Sequence, residues 1–118
     1  MGRKIAIIGT AGRDKNHPMS AKHWDFMCEM VRAELNPDDH LISGGAAWAD
    51  HVAVWAFRTG LVHSLSLHLP APMHNGVYHG DYGTSGATAR YYHEQFSLRM
   101  GGGITGTMAQ IQNCIDRG

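Results

Sequence analysis

The strongest constraint on the fold is a pair of glycine-bearing turns, each of which follows a short apolar run. The first run, residues 4–8, leads into a first turn, Gly9-Thr10-Ala11-Gly12-Arg13. Further along the chain, Leu41-Ile42 leads into a second turn, Ser43-Gly44-Gly45-Ala46. A continuous apolar run is typical of a buried parallel strand, and open α/β sheets bind ligands at the carboxyl ends of their strands. The pattern therefore predicts two parallel strands whose turns meet at one edge of a sheet.

The spacing of apolar residues predicts three strands and four helices along the chain. The strands are predicted at 3–9, 40–43 and 62–69, and the first two helices at 20–35 and 50–59. Thr84 or Ser85 is expected to cap a third helix through Met100, and Thr105 or Thr107 a last one through Arg117. Residues 73–86 are predicted to form a long loop. Strands that alternate with helices predict an α/β fold, a Rossmann-like parallel sheet of about three to four strands flanked by helices.

The whole chain, residues 1–118, is predicted to be a single domain. A doubly wound sheet commonly has about five or six strands, so three strands are few. We therefore expect either a homo-oligomer or a domain that is incomplete at its C-terminus. Bulky apolar residues on the helices favour the homo-oligomer, because so small a sheet cannot cover all of them.

Composition excludes several kinds of partner. Ten basic and ten acidic residues give a formal net charge of zero, which disfavours nucleic acid as a partner. No apolar run approaches the roughly 20 residues that span a bilayer, so no membrane contact is expected. Cys28 and Cys114 form no CxxC pair and are predicted to be reduced thiols of a cytoplasmic protein.

The residue types in the two turns suit a phosphorylated ligand. Glycine lets main-chain N–H groups approach a phosphate closely, and Arg13 can make forked hydrogen bonds to it. Asp50 starts the next helix, where it could cap the helix or accept hydrogen bonds from a sugar hydroxyl. We expect the phosphate beside Gly9–Arg13 and the ribose beside Gly44–Asp50. On this view Gly45→Val fills the ligand's space and leaves the fold largely intact.

The two turns together resemble those of the SLOG superfamily, which includes the LONELY GUY phosphoribohydrolases, the DNA-processing protein A domain and the molybdenum-cofactor carrier proteins. The resemblance rests on Gly9–Arg13 and on Ser43–Asp50, where Trp48 replaces the third glycine of the Ser-Gly-Gly-Ala-x-Gly-Ala-Asp pattern. It implies a Rossmann-like fold and a nucleotide-derived ligand. The glycosidase members also carry a Pro-Gly-Gly-x-Gly-Thr-x-x-Glu motif. The nearest stretch here, residues 102–110, lacks the proline and has Gln110 near the glutamate position, and glutamine cannot act as a general base.

A third group of candidate residues lies on the predicted third helix. Arg90, His93 and Glu94 fall on one helix face, where they could bind phosphate and move a proton. The alternative is a solvated face with the neighbouring aromatic residues packed inward. The loop residues His74, His79 and Asp81 match no HExxH or Cys/His spacing, so we expect no metal site and no cofactor.

Three hypotheses about function follow from these features. The first is a nucleotide-binding domain, a sensor or carrier, whose ligand residues are the two turns with Asp50, Arg90 and His93. The second is an N-glycoside hydrolase acting on a nucleoside monophosphate, with Glu94 or Asp50 as the carboxylate and Arg13 or Arg90 as the phosphate clamp. The third is a truncated or assembling domain that has no independent activity.

Overall fold

Five strands and four helices make up the fold in a computed structural model that describes residues 2–13, 16–81, 84–101 and 103–117. The strands and helices follow one another in this order: β1 (Lys4–Ala6), α1 (Ala21–Glu34), β2 (His40–Ser43), α2 (His51–Arg58), β3 (Ser64–Leu67), β4 (Met73–His74), β5 (Val77–Tyr78), α3 (Ser85–Arg99) and α4 (Gly106–Asp116). A short 3₁₀ turn, Trp48–Asp50, precedes α2.

Strands β1, β2 and β3 form a parallel sheet in the order β1-β2-β3. Ile5 pairs with Leu41, and Leu41 pairs with Leu65. The predicted α/β fold is therefore confirmed, and four helices accompany a parallel sheet compatible with a Rossmann-like layout. The first and third strands are shorter than predicted, although the main chain of Ile7 still donates to the Ile42 carbonyl at 3.3 Å.

Helices α1 and α2 pack on the same face of this sheet. Ile7 packs against a buried cluster that includes Trp24 and Cys28 of α1. Leu41 lies in a second cluster with Ala53 and Ala56 of α2. On the opposite face Lys4 and Ala6 are exposed, and the His40 ring lies between two serines, with Nδ1 2.8 Å from Ser64 Oγ and Nε2 2.7 Å from Ser66 Oγ. Within the described ranges, no helix is long and apolar enough to cross a membrane.

The predicted loop at 73–86 is wrong in its first half, which is a β-hairpin. Met73 pairs with Tyr78, and His74 pairs with Val77, in an antiparallel register. The two residues between the strands, Asn75 and Gly76, have φ angles of 52° and 82°. Asn-Gly with two positive φ angles is the preferred two-residue hairpin turn, so the sequence did contain the signal. Residues 82 and 83 of the predicted loop lie outside the described residues.

A buried carboxylate ties the start of β1 to the loop before β2. Asp39 is only 1% exposed and accepts hydrogen bonds from Arg3 Nε at 3.1 Å and Arg3 Nη2 at 2.8 Å. The main-chain N–H of Asn36 donates to the same carboxylate at 2.8 Å. The Arg3 hydrogen bond, followed by the Asn36 one, lowers the pKa of Asp39 to about 2. Each hydrogen bond to the ionised form favours that form.

We expect Asp39→Asn to change how stability depends on acidity. The unfolded carboxyl has a pKa of about 3.9, so the ionised Asp39 stabilises the fold fully above that pH and loses its effect as the pH falls toward 2. The variant should be less stable at neutral pH and lose less stability than wild type on acidification. Urea unfolding across the acid range measures this. Asp25→Asn, at an exposed position of α1, is the control and should follow the wild-type curve.

Candidate functional site

The two glycine turns lie at the same carboxyl edge of the sheet, as the sequence predicts, and the first turn contacts the segment that follows the second. The main-chain N–H of Ala49 donates to the carbonyl of Thr10 at 3.1 Å. A Cβ on Gly9 would lie 2.8 Å from the Cβ of Ala49, which is closer than real side chains approach. Glycine at position 9 therefore allows the first turn to pack directly on the segment after the second.

A cleft of about 370 Å³ opens between these turns and the start of α3. Its described lining consists of Ala11, Arg13, Gly44, Ala46, Ala47, Pro70, Thr84, Ser85, Thr88, Ala89 and Tyr92. Four predicted ligand residues, Ala11, Arg13, Gly44 and Ala46, are thus brought together. Arg13 is the one charged side chain among these lining residues, and its guanidinium carbon lies 4.8 Å from the centre of the Tyr92 ring.

The second turn is held by hydrogen bonds from its own neighbours. Ser43 Oγ accepts from the Gly45 N–H at 3.1 Å and donates to the Asp50 carbonyl at 2.9 Å. The Asp50 carboxylate accepts from the N–H groups of Ala46 and Gly44, but burial outweighs these bonds and raises its pKa. Asp50 occupies the N-cap position of α2 without a side-chain cap bond. Its carboxylate thus stabilises the turn, and three successive N–H groups of that turn are already bonded within the protein.

Gly45 faces the interior of the protein. Its φ is 74°, and a Cβ there would meet the side chains of Leu69 and Tyr78. Its carbonyl accepts two hydrogen bonds, from Tyr78 Oη at 2.7 Å and from His93 Nε2 at 2.8 Å. The expectation that Gly45→Val keeps the fold is therefore corrected, because valine would be strained in φ and would collide with the core.

Two of the three candidate residues on α3, Arg90 and His93, form hydrogen bonds within the protein. His93 is fully buried beneath Gly45, and its Nδ1 lies 3.0 Å from Thr107 Oγ1. Arg90 Nη1 donates to the Tyr78 carbonyl at 3.3 Å. Glu94 is half-buried on the same helix. None of the three belongs to the described lining of the cleft.

A second buried histidine lies beside His93, with the two ring centres 5.6 Å apart. His51 Nε2 donates to Gln110 Oε1 at 2.7 Å. Gln110, the residue near the glutamate position of the glycosidase motif, therefore bonds a core side chain. His51 Nδ1 is buried without a hydrogen-bond partner among the described atoms. Burial lowers the pKa of His51 to about 3 and that of His93 to about 4, which keeps both rings neutral.

Trp48 stands where the SLOG pattern has a glycine, and its backbone keeps a glycine-like conformation with a φ of 62°. The indole is buried and packs on Phe96, with ring centres 4.4 Å apart. A Cβ on Gly12 would lie 2.5 Å from this indole, so Trp48 also explains the glycine at position 12. The side chain therefore belongs to the core and does not face the cleft.

Sequence reasoning missed several wall residues of the cleft. Thr84 and Ser85 were assigned only as helix caps, and Thr84 Oγ1 does accept from the Ala87 N–H at 3.3 Å. Thr88, one turn into α3, belongs to no motif that would mark it.

The loop histidines His74 and His79 pack against each other, with their rings edge to face at 4.9 Å. The described residues contain no group of three or more side chains that could hold a metal ion.

Comparison with known proteins finds a viral relative of this chain. The chain is 32% identical over 125 aligned residues to an uncharacterized protein of Acanthamoeba polyphaga mimivirus. The alignment covers 98% of this chain and 66% of the viral protein, so the chain spans slightly less than two thirds of that relative's length. No protein-family profile matches the chain. No solved structure matches it either.

The two buried histidines predict a loss of stability in mildly acidic solution. Both are neutral when folded, with pKa values near 3 and 4, whereas an unfolded histidine titrates near pH 6.5. Stability is therefore complete above about pH 6.5 and falls at lower pH, by up to about 1.4 kcal/mol per pH unit for each ring.

Urea unfolding between pH 7 and pH 5 measures this loss, and His51→Gln and His93→Gln should each reduce the slope by about half. His63→Gln, at an exposed position, is the control and should keep the wild-type slope. Equal wild-type stability at the two pH values would contradict the assignment of neutral buried rings.

Proposed function

We propose that this chain is a nucleotide-binding domain of the SLOG type that acts as a sensor or carrier of a nucleoside phosphate. The observation that carries this proposal is the cleft formed where both glycine turns meet at the carboxyl edge of the parallel sheet. Ligands of open α/β sheets bind at this edge. The volume of about 370 Å³ lies at the lower end of the range for small-molecule sites and suits a ligand the size of a nucleoside monophosphate.

Arg13 is the natural phosphate ligand in this cleft. A guanidinium can make two parallel hydrogen bonds to phosphate oxygens, and such bonds are stronger than bonds between neutral groups. The N–H groups of Gly44, Gly45 and Ala46 are already bonded to Asp50 and Ser43. In the first turn the Gly12 N–H is likewise bonded, to Thr10 Oγ1 at 3.0 Å. We therefore assign the phosphate to Arg13, at the end of the first turn.

The opposite wall supplies neutral polar groups for the rest of the ligand. Ser85 and Thr88 line the cleft, and their hydroxyl groups can donate to or accept from sugar hydroxyls. The Thr84 hydroxyl already donates to the Asp81 carbonyl and accepts from the Ala87 N–H. The Tyr92 ring lies beneath Arg13 and extends the wall with an apolar surface.

Binding is favoured over hydrolysis of the N-glycosidic bond. Among the described lining residues there is no carboxylate, and glycoside hydrolysis generally uses a pair of them. Asp50 accepts hydrogen bonds from the second turn, and Gln110 is bonded to His51. The hydrolase hypothesis would require Asp50 or Glu94 to reach the ligand.

We expect Arg13→Ala to weaken binding of a nucleoside monophosphate. The loss of one charge-assisted hydrogen bond corresponds to about 1.5–3 kcal/mol, or roughly a tenfold to hundredfold rise in Kd. Titration calorimetry with a panel of nucleoside monophosphates measures the change. Arg58→Ala removes an exposed arginine on α2 and should bind as wild type does. Binding by Arg13→Ala with wild-type affinity, or no binding by wild type, would refute the proposed site.

Filling the cleft should abolish binding and leave the fold intact. Thr88 is half-buried on α3 and lines the cleft, so Thr88→Phe places a ring in the ligand's space. Circular dichroism checks that the variant folds, and calorimetry checks binding.

Chromatography of the same mixtures detects free base released by hydrolysis. Free base that appears with wild type and disappears with Asp50→Asn or Glu94→Gln would replace the carrier proposal with the hydrolase hypothesis.

A further inference from the structure

The outer flank of α1 carries an exposed apolar ridge. Phe26 is 65% exposed and Met30 is 57% exposed, although both are large apolar side chains. Residues four apart lie on one side of a helix, and Lys22 and Glu34 extend the same ridge by one turn at either end. Both charged residues are exposed as well. The α1 ridge therefore consists of four exposed residues, in the order Lys22, Phe26, Met30 and Glu34 along the helix.

The ridge adjoins the open edge of the sheet. Strand β1 is the end strand of the order β1-β2-β3. A groove between β1 and α1 is lined by Ile5, Ile7 and Met30, among other residues. Ile8, just beyond β1, is 81% exposed. An end strand presents unpaired main-chain N–H and C=O groups, so the edge and the ridge form one continuous surface that can accept another chain.

The order of residues along the ridge is self-complementary. Lys22 and Glu34 are symmetric about position 28, and so are Phe26 and Met30. If two copies of α1 meet antiparallel about a two-fold axis at that position, Phe26 of each copy faces Met30 of the other. The same axis places Lys22 of each copy opposite Glu34 of the other. An isologous dimer requires this pattern, in which one surface complements itself.

The sheet edge obeys the same symmetry. A two-fold axis perpendicular to the sheet would set β1 antiparallel to its copy and keep both α1 helices on one face. Antiparallel strands can pair directly through their main chains. Two copies would then share one sheet of six strands, closer to the number usual in doubly wound folds.

We propose that the α1 ridge and the β1 edge bind a second copy of this chain and form a two-fold homodimer. The ion pairs between Lys22 and Glu34 set the antiparallel register, and the contacts between Phe26 and Met30 supply most of the affinity. Large apolar side chains at the centre of an interface commonly dominate its binding energy. The interface is independent of nucleotide binding, since the four ridge residues do not line the cleft.

Sedimentation velocity and equilibrium of the full chain at micromolar concentrations test the dimer. Wild type should sediment as a dimer. Phe26→Glu should raise the dimer Kd about thirtyfold or more, because it places a charge at the centre of the apolar contact. Leu98→Glu changes an apolar residue on α3 that is 52% exposed, and it should leave the Kd unchanged.

A charge exchange tests the register separately. Lys22→Glu places two carboxylates opposite each other at both ends of the interface and should raise the Kd about tenfold. The double variant Lys22→Glu, Glu34→Lys restores opposite charges and should return the Kd to within about threefold of wild type. A monomeric wild type, or a dimer that Phe26→Glu does not weaken, would overturn the proposal. A double variant no tighter than Lys22→Glu would overturn the proposed register.

Discussion

One main-chain carbonyl, that of Gly45, joins the parallel sheet to the segments that follow it. It accepts from Tyr78 Oη in the hairpin and from His93 Nε2 in α3. Buried carbonyl groups are almost always hydrogen-bonded, because a lost bond in the interior leaves the full cost of desolvation. Here the two donors come from two different elements. The position of α3, and with it one wall of the cleft, therefore depends on the conformation of the second glycine turn.

Sequence patterns predicted the layout of the sheet because its signals are local. An apolar run followed by a glycine turn marks a strand and its carboxyl end, so β2 and the meeting of the two turns were both predicted correctly. The hairpin at Asn75–Gly76 was missed although its signal is also local, since its strands are only two residues each. Short strands have too few alternating positions to stand out against a polar loop.

The roles of individual site residues depended on contacts that the sequence does not record. Gly45 was predicted to be a ligand-binding residue. Its carbonyl instead points into the core, where it accepts a hydrogen bond from Tyr78, 33 positions away in the sequence. His93 shared a helix face with Arg90 and Glu94, yet helical spacing cannot tell which side of that face meets the core. Trp48 keeps the backbone conformation expected of a glycine while its indole fills the space beside Gly12 and Phe96. The glycine of the SLOG pattern matches the backbone at this position, whereas the direction of the indole depends on its packing against Phe96.

The cleft and the α1 ridge lie on different parts of the same small sheet, and their chemistry differs accordingly. The cleft forms at the ends of the strands, where glycine turns leave space and Arg13 supplies a positive charge. The ridge forms where the sheet stops laterally, on a side of α1 that stays exposed although α1 contacts α2 and, through Trp24, Phe96 of α3. A parallel sheet is normally covered by helices along its length. Beyond β1 nothing covers the outer side of α1 among the described residues, so its apolar residues Phe26 and Met30 remain exposed to water. The same short sheet thus accounts for both features, the open strand ends that form the cleft and the open lateral edge that exposes the ridge.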